Sequence, residues 1–393
     1  MQHRSLLVSA LSASVASVFL SFIIHSPWSD PNFYSDIGSF WLRSGVQLGQ
    51  VPYLQYFFEY PPVSGAILYL ARVLGGGSYD GYFSAFGAFS LAAAAGIAWS
   101  CWRIARALGS KLNPLYFFLP SMLFYGVYNF DLFNALFVIL SVQFFLEGRR
   151  DASAVSLALS VATKLVGVVL LPLYILELKD NRQRLRYLAV SAAIVVLIYL
   201  PVLLFASGYV QQFLSYYSTH GLEDAWYVWI FQTPFSKYAG WFGLALSGAL
   251  LLRVYTLKIP LVPRLFLALA GYLLGATIYA PQYSVMLIPL VVVLAIEDPS
   301  LYAWEVFNAL IILTWFLPGV TNQTYPWTLP QTMALLRTAS LAWLCVALLR
   351  KHGVGIRDVF RLSPRGGTLL DLPVEAQEEV LAYATGGTEE PTK

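Results

Sequence analysis

Charge is scarce in this 393-residue chain: only 11% of its residues are charged, against about 25% in an ordinary soluble domain. With 58% hydrophobic residues, a soluble globule of this size could not hide its apolar surface. Disorder is excluded too, because it needs low hydrophobicity and high charge. A net charge of +3 over this length makes no basic face, so no nucleic-acid partner is expected. Cysteine is nearly absent. The two, Cys101 and Cys345, lie in apolar runs with no CxxC or Cys/His spacing, which argues against a structural zinc site or a disulfide framework. No internal repeat is visible, which disfavours a transporter built from paired halves. What is abundant is aromatic, 16% of residues, and this suits bilayer interfaces. The expected class is an all-α, polytopic integral membrane protein.

A span needs roughly 20 apolar residues to cross a hydrocarbon core of about 30 Å. Residues 6–24 fit and read as a retained first span, since no small-residue cleavage site follows before Pro27. Further apolar runs bring the expectation to about ten to twelve transmembrane or re-entrant helices. Basic clusters such as Arg149 and Arg150, or Lys179 to Arg186, mark cytoplasmic ends. Residues 114–146 then form a hairpin whose outer tip holds Asn129 and Asp131. Residues 152–176 begin and end among basic residues, so they are expected to fold as two half-depth pieces bending near Thr163 and Lys164. Residues 62–74 are too short to cross alone, which leaves Arg72 on the outer side; Lys237 and Arg337 also fall near that face. The expected domains are a membrane unit over 1–350, with a first outer loop at 25–61, and a polar cytoplasmic tail at 351–393, which includes a short helix near 374–384.

The few polar residues within this frame are the candidates for chemistry. In the first outer loop, Ser35 is a helix N-cap and Ile37, Phe40, Trp41 and Leu48 follow at helical spacing, a pattern for a short interfacial helix. Asp36 opens that helix beside its positive end. Asp30 and Arg43 share the loop. Glu59-Tyr60-Pro61-Pro62 closes it and brings a carboxylate to the membrane boundary among aromatics. Lys164 lies inside an apolar run, where an ionisable group is functional or snorkels to a headgroup. Asp131 caps its helix or lines a cavity. His220 sits with Glu223 and Asp224 in a large outer loop expected over residues 208–240, flanked by Trp226 and Trp229.

In order, these motifs resemble a known set. An aspartate in the first outer loop is followed by G-x-x-PY (Gly49 to Tyr53), EYPP, an NFD hairpin, an ATKL hairpin and a late PQY segment from Pro281. The chain resembles the GT-C superfamily of membrane glycosyltransferases, most closely glycosyltransferase family 87 and the catalytic subunits of GPI mannosyltransferase I. The resemblance covers about residues 5–300. It implies transfer of a hexose, mannose favoured, from a polyprenyl-phosphate donor to a lipid-linked or glycolipid acceptor on the outer or lumenal face. Asp36 matches the family's base. Gln282 and Tyr283 match its late motif, and Lys164 its hairpin lysine. The second acid of a metal-binding DxD is missing from Asp36-Ile37-Gly38, so the motif gives no support for a divalent metal.

The chemistry of such a transfer asks for an interfacial acid, a phosphate-binding cation and a lipid groove. A carboxylate takes the acceptor proton, and the departing phosphate needs positive charge. On this reading Asp36 is the base of an inverting displacement. Lys164, His220 and Arg43 are candidates for the donor phosphate, while Glu59, Asp131, Gln282 and Tyr283 are candidates for sugar or acceptor hydroxyls. A prokaryotic or archaeal plasma membrane is favoured, with the endoplasmic reticulum as the alternative. The rival class is a secondary transporter or flippase for an amphiphile, which would use Lys164, Asp131 and Glu59 as a path. No partner subunit is marked in the sequence.

Overall fold

The computed structural model describes residues 2–29, 34–43, 45–206 and 208–355. The expected tail helix near 374–384 and Asp30 lie outside the described residues. Apart from two isolated β-bridges, the regular structure of the described residues is helical, as expected. Their helices are α1 (Gln2–His25), α2 (Asp36–Arg43), α3 (Pro62–Leu74), α4 (Tyr79–Ala107), α5 (Pro120–Tyr125), α6 (Asp131–Leu146), α7 (Arg150–Thr163) and α8 (Leu171–Glu177). There follow α9 (Asn181–Phe205), α10 (Tyr209–Thr219), α11 (Val228–Phe231), α12 (Ala239–Thr256), α13 (Leu261–Gly275), α14 (Ile288–Leu294), α15 (Pro299–Trp315) and α16 (Leu329–Lys351). Three 3-10 segments, Pro114–Phe118, Leu165–Leu170 and Pro281–Met286, interrupt the series.

Five helices are long and apolar enough to cross a bilayer: α1 from Arg4, α4, α9, α12 and α16. Their outward faces are apolar. On α9, Val196, Leu197, Leu200, Leu203 and Leu204 are all exposed, which in water would be a liability and in lipid is a fit. Together with the chain's composition this defines a polytopic integral membrane protein.

The remaining apolar segments are broken, and the breaks matter. The segment from Arg150 to Glu177 folds back on itself as expected. Lys164 leaves α7 in an extended conformation (φ −146°, ψ 129°), and the 3-10 segment Leu165–Leu170 returns against α7. Gly167 lies so close to α7 that an added Cβ would stand 2.3 Å from Ser160 Oγ. Both arms end at one level: the Tyr174 ring of α8 lies 4.8 Å from Phe145, and Asp151 of α7 pairs with Arg186 of α9 at 2.5 Å. The hairpin Pro114–Leu146 has its tip at Tyr128, Asn129 and Phe130. A third break separates α13 from α14, at Pro281, Gln282 and Tyr283. At each break the turning residue, Asn129, Lys164 or Gln282, is buried in protein, the condition for irregular backbone at membrane depth.

Helix α3 has 13 residues, about 20 Å, and does not match a core of about 30 Å. Its first turn is tied to the α7 hairpin by Ser64 Oγ donating to Thr163 O at 2.8 Å. Its last turn reaches the first loop, where Arg72 Nε donates to Val46 O at 3.0 Å. Arg72 therefore shares a level with the first loop, as expected. The two prolines of EYPP start α3, while the residues before them are irregular rather than a helix end.

At the opposite end, the ion pairs Arg103–Glu147, Arg186–Asp151 and Arg264–Glu177 cluster where the basic residues were expected to mark one face. Cys101 and Cys345 are buried and free, consistent with packing roles.

Candidate functional site

The site starts with α2. Ser35 Oγ accepts from Gly38 N at 3.1 Å, the N-cap expected from the sequence. The helix buries Ile37 and Phe40 completely. Phe40 packs within 6.0 Å of Phe58, Tyr60 and Phe130. Two bonds pin its first turn: Ile37 N donates to Tyr128 O at 3.2 Å, and Tyr82 OH donates to Ile37 O at 3.0 Å. Leu48 departs from the expected pattern. The helix ends at Arg43, and Leu48 lies beyond it, 71% exposed. Arg43 closes α2, and its side chain lies outside the described residues.

Rigid anchoring of α2 fixes Asp36. Tyr34 OH donates to Oδ1 at 2.8 Å, and Asn129 Nδ2 donates to Oδ2 at 2.5 Å. Gln282 Nε2 reaches Oδ2 at 3.4 Å. Asn129 Nδ2 also reaches Tyr60 OH at 2.7 Å. The carboxylate is thus held by neutral donors from three separate elements: the first loop, the α5–α6 tip and the α13–α14 break.

Asp36 lines a cavity of about 350 Å³. Tyr34, Glu59, Tyr60, His220, Gln282 and Tyr283 line it with Asp36, so most of the expected site residues meet in one place. Tyr216, Tyr217, Trp315 and Phe316 add aromatic walls. Glu59 is 7% exposed, and Tyr217 OH donates to its backbone carbonyl at 3.3 Å. The outer loop carrying His220 is stitched to residues before the third break: Glu223 N donates to Thr277 O at 3.0 Å and Tyr279 N to Glu223 O at 2.9 Å. His220 Nε2 lies 2.6 Å from Glu223 Oε2. That bond holds the imidazole above its usual value, and the Glu223 charge adds to it against partial burial.

Lys164 and Asp131 lie elsewhere than the cavity lining. They pair with each other, Nζ to Oδ1 at 2.7 Å and to Oδ2 at 2.8 Å, and both are buried. The ammonium stands 4.0 Å from the Tyr283 ring centroid and 5.6 Å from that of Tyr60. The pair therefore links two hairpin tips directly behind the cavity wall.

A further polar group joins two residues that the sequence noted but did not connect. Asp224 is 1% exposed and lines the cavity. Gln331 Nε2 donates to its Oδ1 at 2.9 Å, and Arg337 Nη2 donates to its backbone carbonyl at 2.9 Å. Arg337 is fully buried, stacks 3.5 Å from the Tyr279 ring and also donates to Asn308 Oδ1 at 3.2 Å. The sequence signal was there: an arginine in an apolar run near the outer face needs a partner. Among the described residues, no three His, Cys, Asp or Glu side chains are grouped as a metal site.

The fold and the cavity thus describe a membrane protein with an acid-bearing, aromatic-walled pocket at one end of its spans. A model of glycosyltransferase family 87 matches residues 57–228, the family expected from the motifs. The match includes Glu59, Asp131, Lys164, His220 and Asp224, and leaves Asp36, Gln282 and Tyr283 outside it. No curated protein matches the chain. Two solved structures are similar, both of ArnT from Cupriavidus metallidurans. One, bound to undecaprenyl phosphate, shares 16% identity over 88% of this chain and 77% of that one, with a TM-score of 0.46. The apo form shares 18% over 90% and 78%, with a TM-score of 0.45.

Proposed function

We propose that this protein is a membrane glycosyltransferase that moves a hexose, mannose favoured, from a polyprenyl-phosphate donor to a lipid-linked or glycolipid acceptor. The family match over residues 57–228 supports the reaction class. The observation that carries the mechanism is the Asp36 carboxylate, held at the cavity wall by Tyr34, Asn129 and Gln282. In this reading Asp36 accepts the proton of the acceptor hydroxyl. The acceptor oxygen attacks the anomeric carbon while the bond to the donor phosphate oxygen breaks and that oxygen takes the electron pair. One displacement inverts the anomeric centre, and its transition state has oxocarbenium character.

His220 is the donor-phosphate contact, since it lines the cavity and its bond to Glu223 favours the charged ring. Glu59, Gln282 and Tyr283 offer hydrogen bonds to sugar or acceptor hydroxyls. Lys164, spent on Asp131, acts behind Tyr283 by holding the tips in place. The cavity end faces the exterior or lumen in this reading, because the basic ends lie opposite. The transporter alternative gains little support: of its path residues Lys164, Asp131 and Glu59, the first two are closed on each other.

The test is incubation of purified protein with labelled polyprenyl-phosphate mannose and glycolipid acceptors. Release of polyprenyl phosphate coupled to glycosylated acceptor is expected. Movement of the intact donor across vesicles without sugar transfer would overturn the reading.

A further inference from the structure

Asp224 stands on the cavity wall with one half of its carboxyl committed and the other unspent. Oδ1 accepts from Gln331, and the backbone carbonyl accepts from Arg337. Oδ2 is buried and has no hydrogen-bond partner. An unmet buried acceptor costs roughly 1–3 kcal/mol, more for a charged group. The residue is also braced from two sides. Arg337 holds its backbone and Asn308, while Asn308 Nδ2 donates to Pro281 O at 2.9 Å beside Gln282. A residue only filling space needs none of this.

We infer that Asp224 is a further functional carboxylate of the cavity, one that receives a hydroxyl of the donor's sugar ring. The inference rests on the polyprenyl-phosphate-sugar reading above. Chemistry selects the ligand group. A phosphate would be repelled by a carboxylate, whereas a hydroxyl donates a charge-assisted hydrogen bond to it. Position selects the donor over the acceptor. Asp224 belongs to the same stitched loop as His220, the phosphate contact, and the sugar of the donor is bonded to that phosphate.

The discriminating measurement compares lipids with and without a sugar. Binding of polyprenyl-phosphate mannose, its glucose and galactose counterparts, and sugar-free polyprenyl phosphate is followed by tryptophan fluorescence, Trp315 lining the cavity. Asp224→Asn keeps the shape and the Gln331 bond while removing the charge. It is expected to weaken the best sugar-bearing lipid about tenfold and leave the sugar-free lipid unchanged. Asp224→Ala should repeat the pattern with a larger loss. Equal losses for both kinds of lipid would show a merely structural role and overturn the inference, as would no loss for either. Wild-type protein that binds none of these lipids would overturn the donor reading and this inference together. Wild-type binding with an unchanged Asp224→Asn overturns the inference alone.

Discussion

Asp36 and Asp131 are both gripped at one hairpin tip, yet they sit in different surroundings. Asn129 of that tip donates to Asp36, while Asp131, two residues on, binds Lys164 through both oxygens. The partners of Asp36 include a phenol and two amides, and the carboxylate lines a cavity. Asp131 is fully buried and matched by an opposite charge. Neutral donors orient the Asp36 carboxylate at the cavity, whereas Asp131 carries an ammonium at 2.7 Å. On the proposed reading the first of these acids is the base and the second a fastening. The residues that decide this, Asn129 and Lys164, are as telling as the acids themselves.

The strongest way to break this contrast is Asp36→Asn. It removes the base and keeps the shape, and transfer is expected to fall by about 10²–10⁴-fold with an unchanged unfolding temperature. Near-normal release of polyprenyl phosphate from that variant would refute the assignment. Lys164→Ala tests the other side. It strands a buried carboxylate and should cost about 3–5 kcal/mol of stability, read as a lowered unfolding temperature in detergent. The double variant Lys164→Met with Asp131→Asn should recover most of that loss, because it removes both charges at once. If Lys164→Ala instead unfolds like wild type and loses only donor affinity, the lysine serves phosphate rather than the pair.

Asn129→Ala should sit between these two. It leaves the base in place and removes one of its guides, so kcat is expected to drop about tenfold while KM for either substrate changes little. A fall in KM-linked affinity with kcat intact would make Asn129 a substrate contact instead of a positioning residue.

Much of this arrangement was legible in the sequence because charge is so scarce. Asp36, Glu59 and His220 stand out in an apolar chain, and the structure brings them to one cavity. The break at Lys164 was readable as well, since basic residues at both ends of one apolar run are incompatible with a single crossing. Pairing was less readable. Lys164 and Asp131 are 33 residues apart, and nothing in either run names the other as partner. The aromatic walls were illegible for a different reason. With 25 tyrosines in the chain, interfacial rings and site rings look alike, so Tyr34 carried no signal. The buried Arg337 carried one, as a charge in an apolar run, but its partner Asp224 looked like an ordinary loop acid.

A third pair grades the contrast between fastening and working charge. His220 and Glu223 resemble Lys164 and Asp131 in geometry, at 2.6 Å, but the imidazole is 29% exposed and can titrate. Its value is raised mainly by the hydrogen bond to Glu223, so the folded protein favours the charged ring. The stabilisation this lends is present in full below the unfolded value of about 6.5 and disappears as pH rises through the raised folded value. Donor binding should follow the same course: KM for the polyprenyl-phosphate sugar rises a few-fold as pH climbs through that region, and added salt blunts the change. His220→Gln should flatten the profile while leaving the Asp36-dependent kcat in place. A profile that keeps its shape in His220→Gln would move the phosphate contact to another residue and leave the His220–Glu223 pair a fastening like the one beneath it.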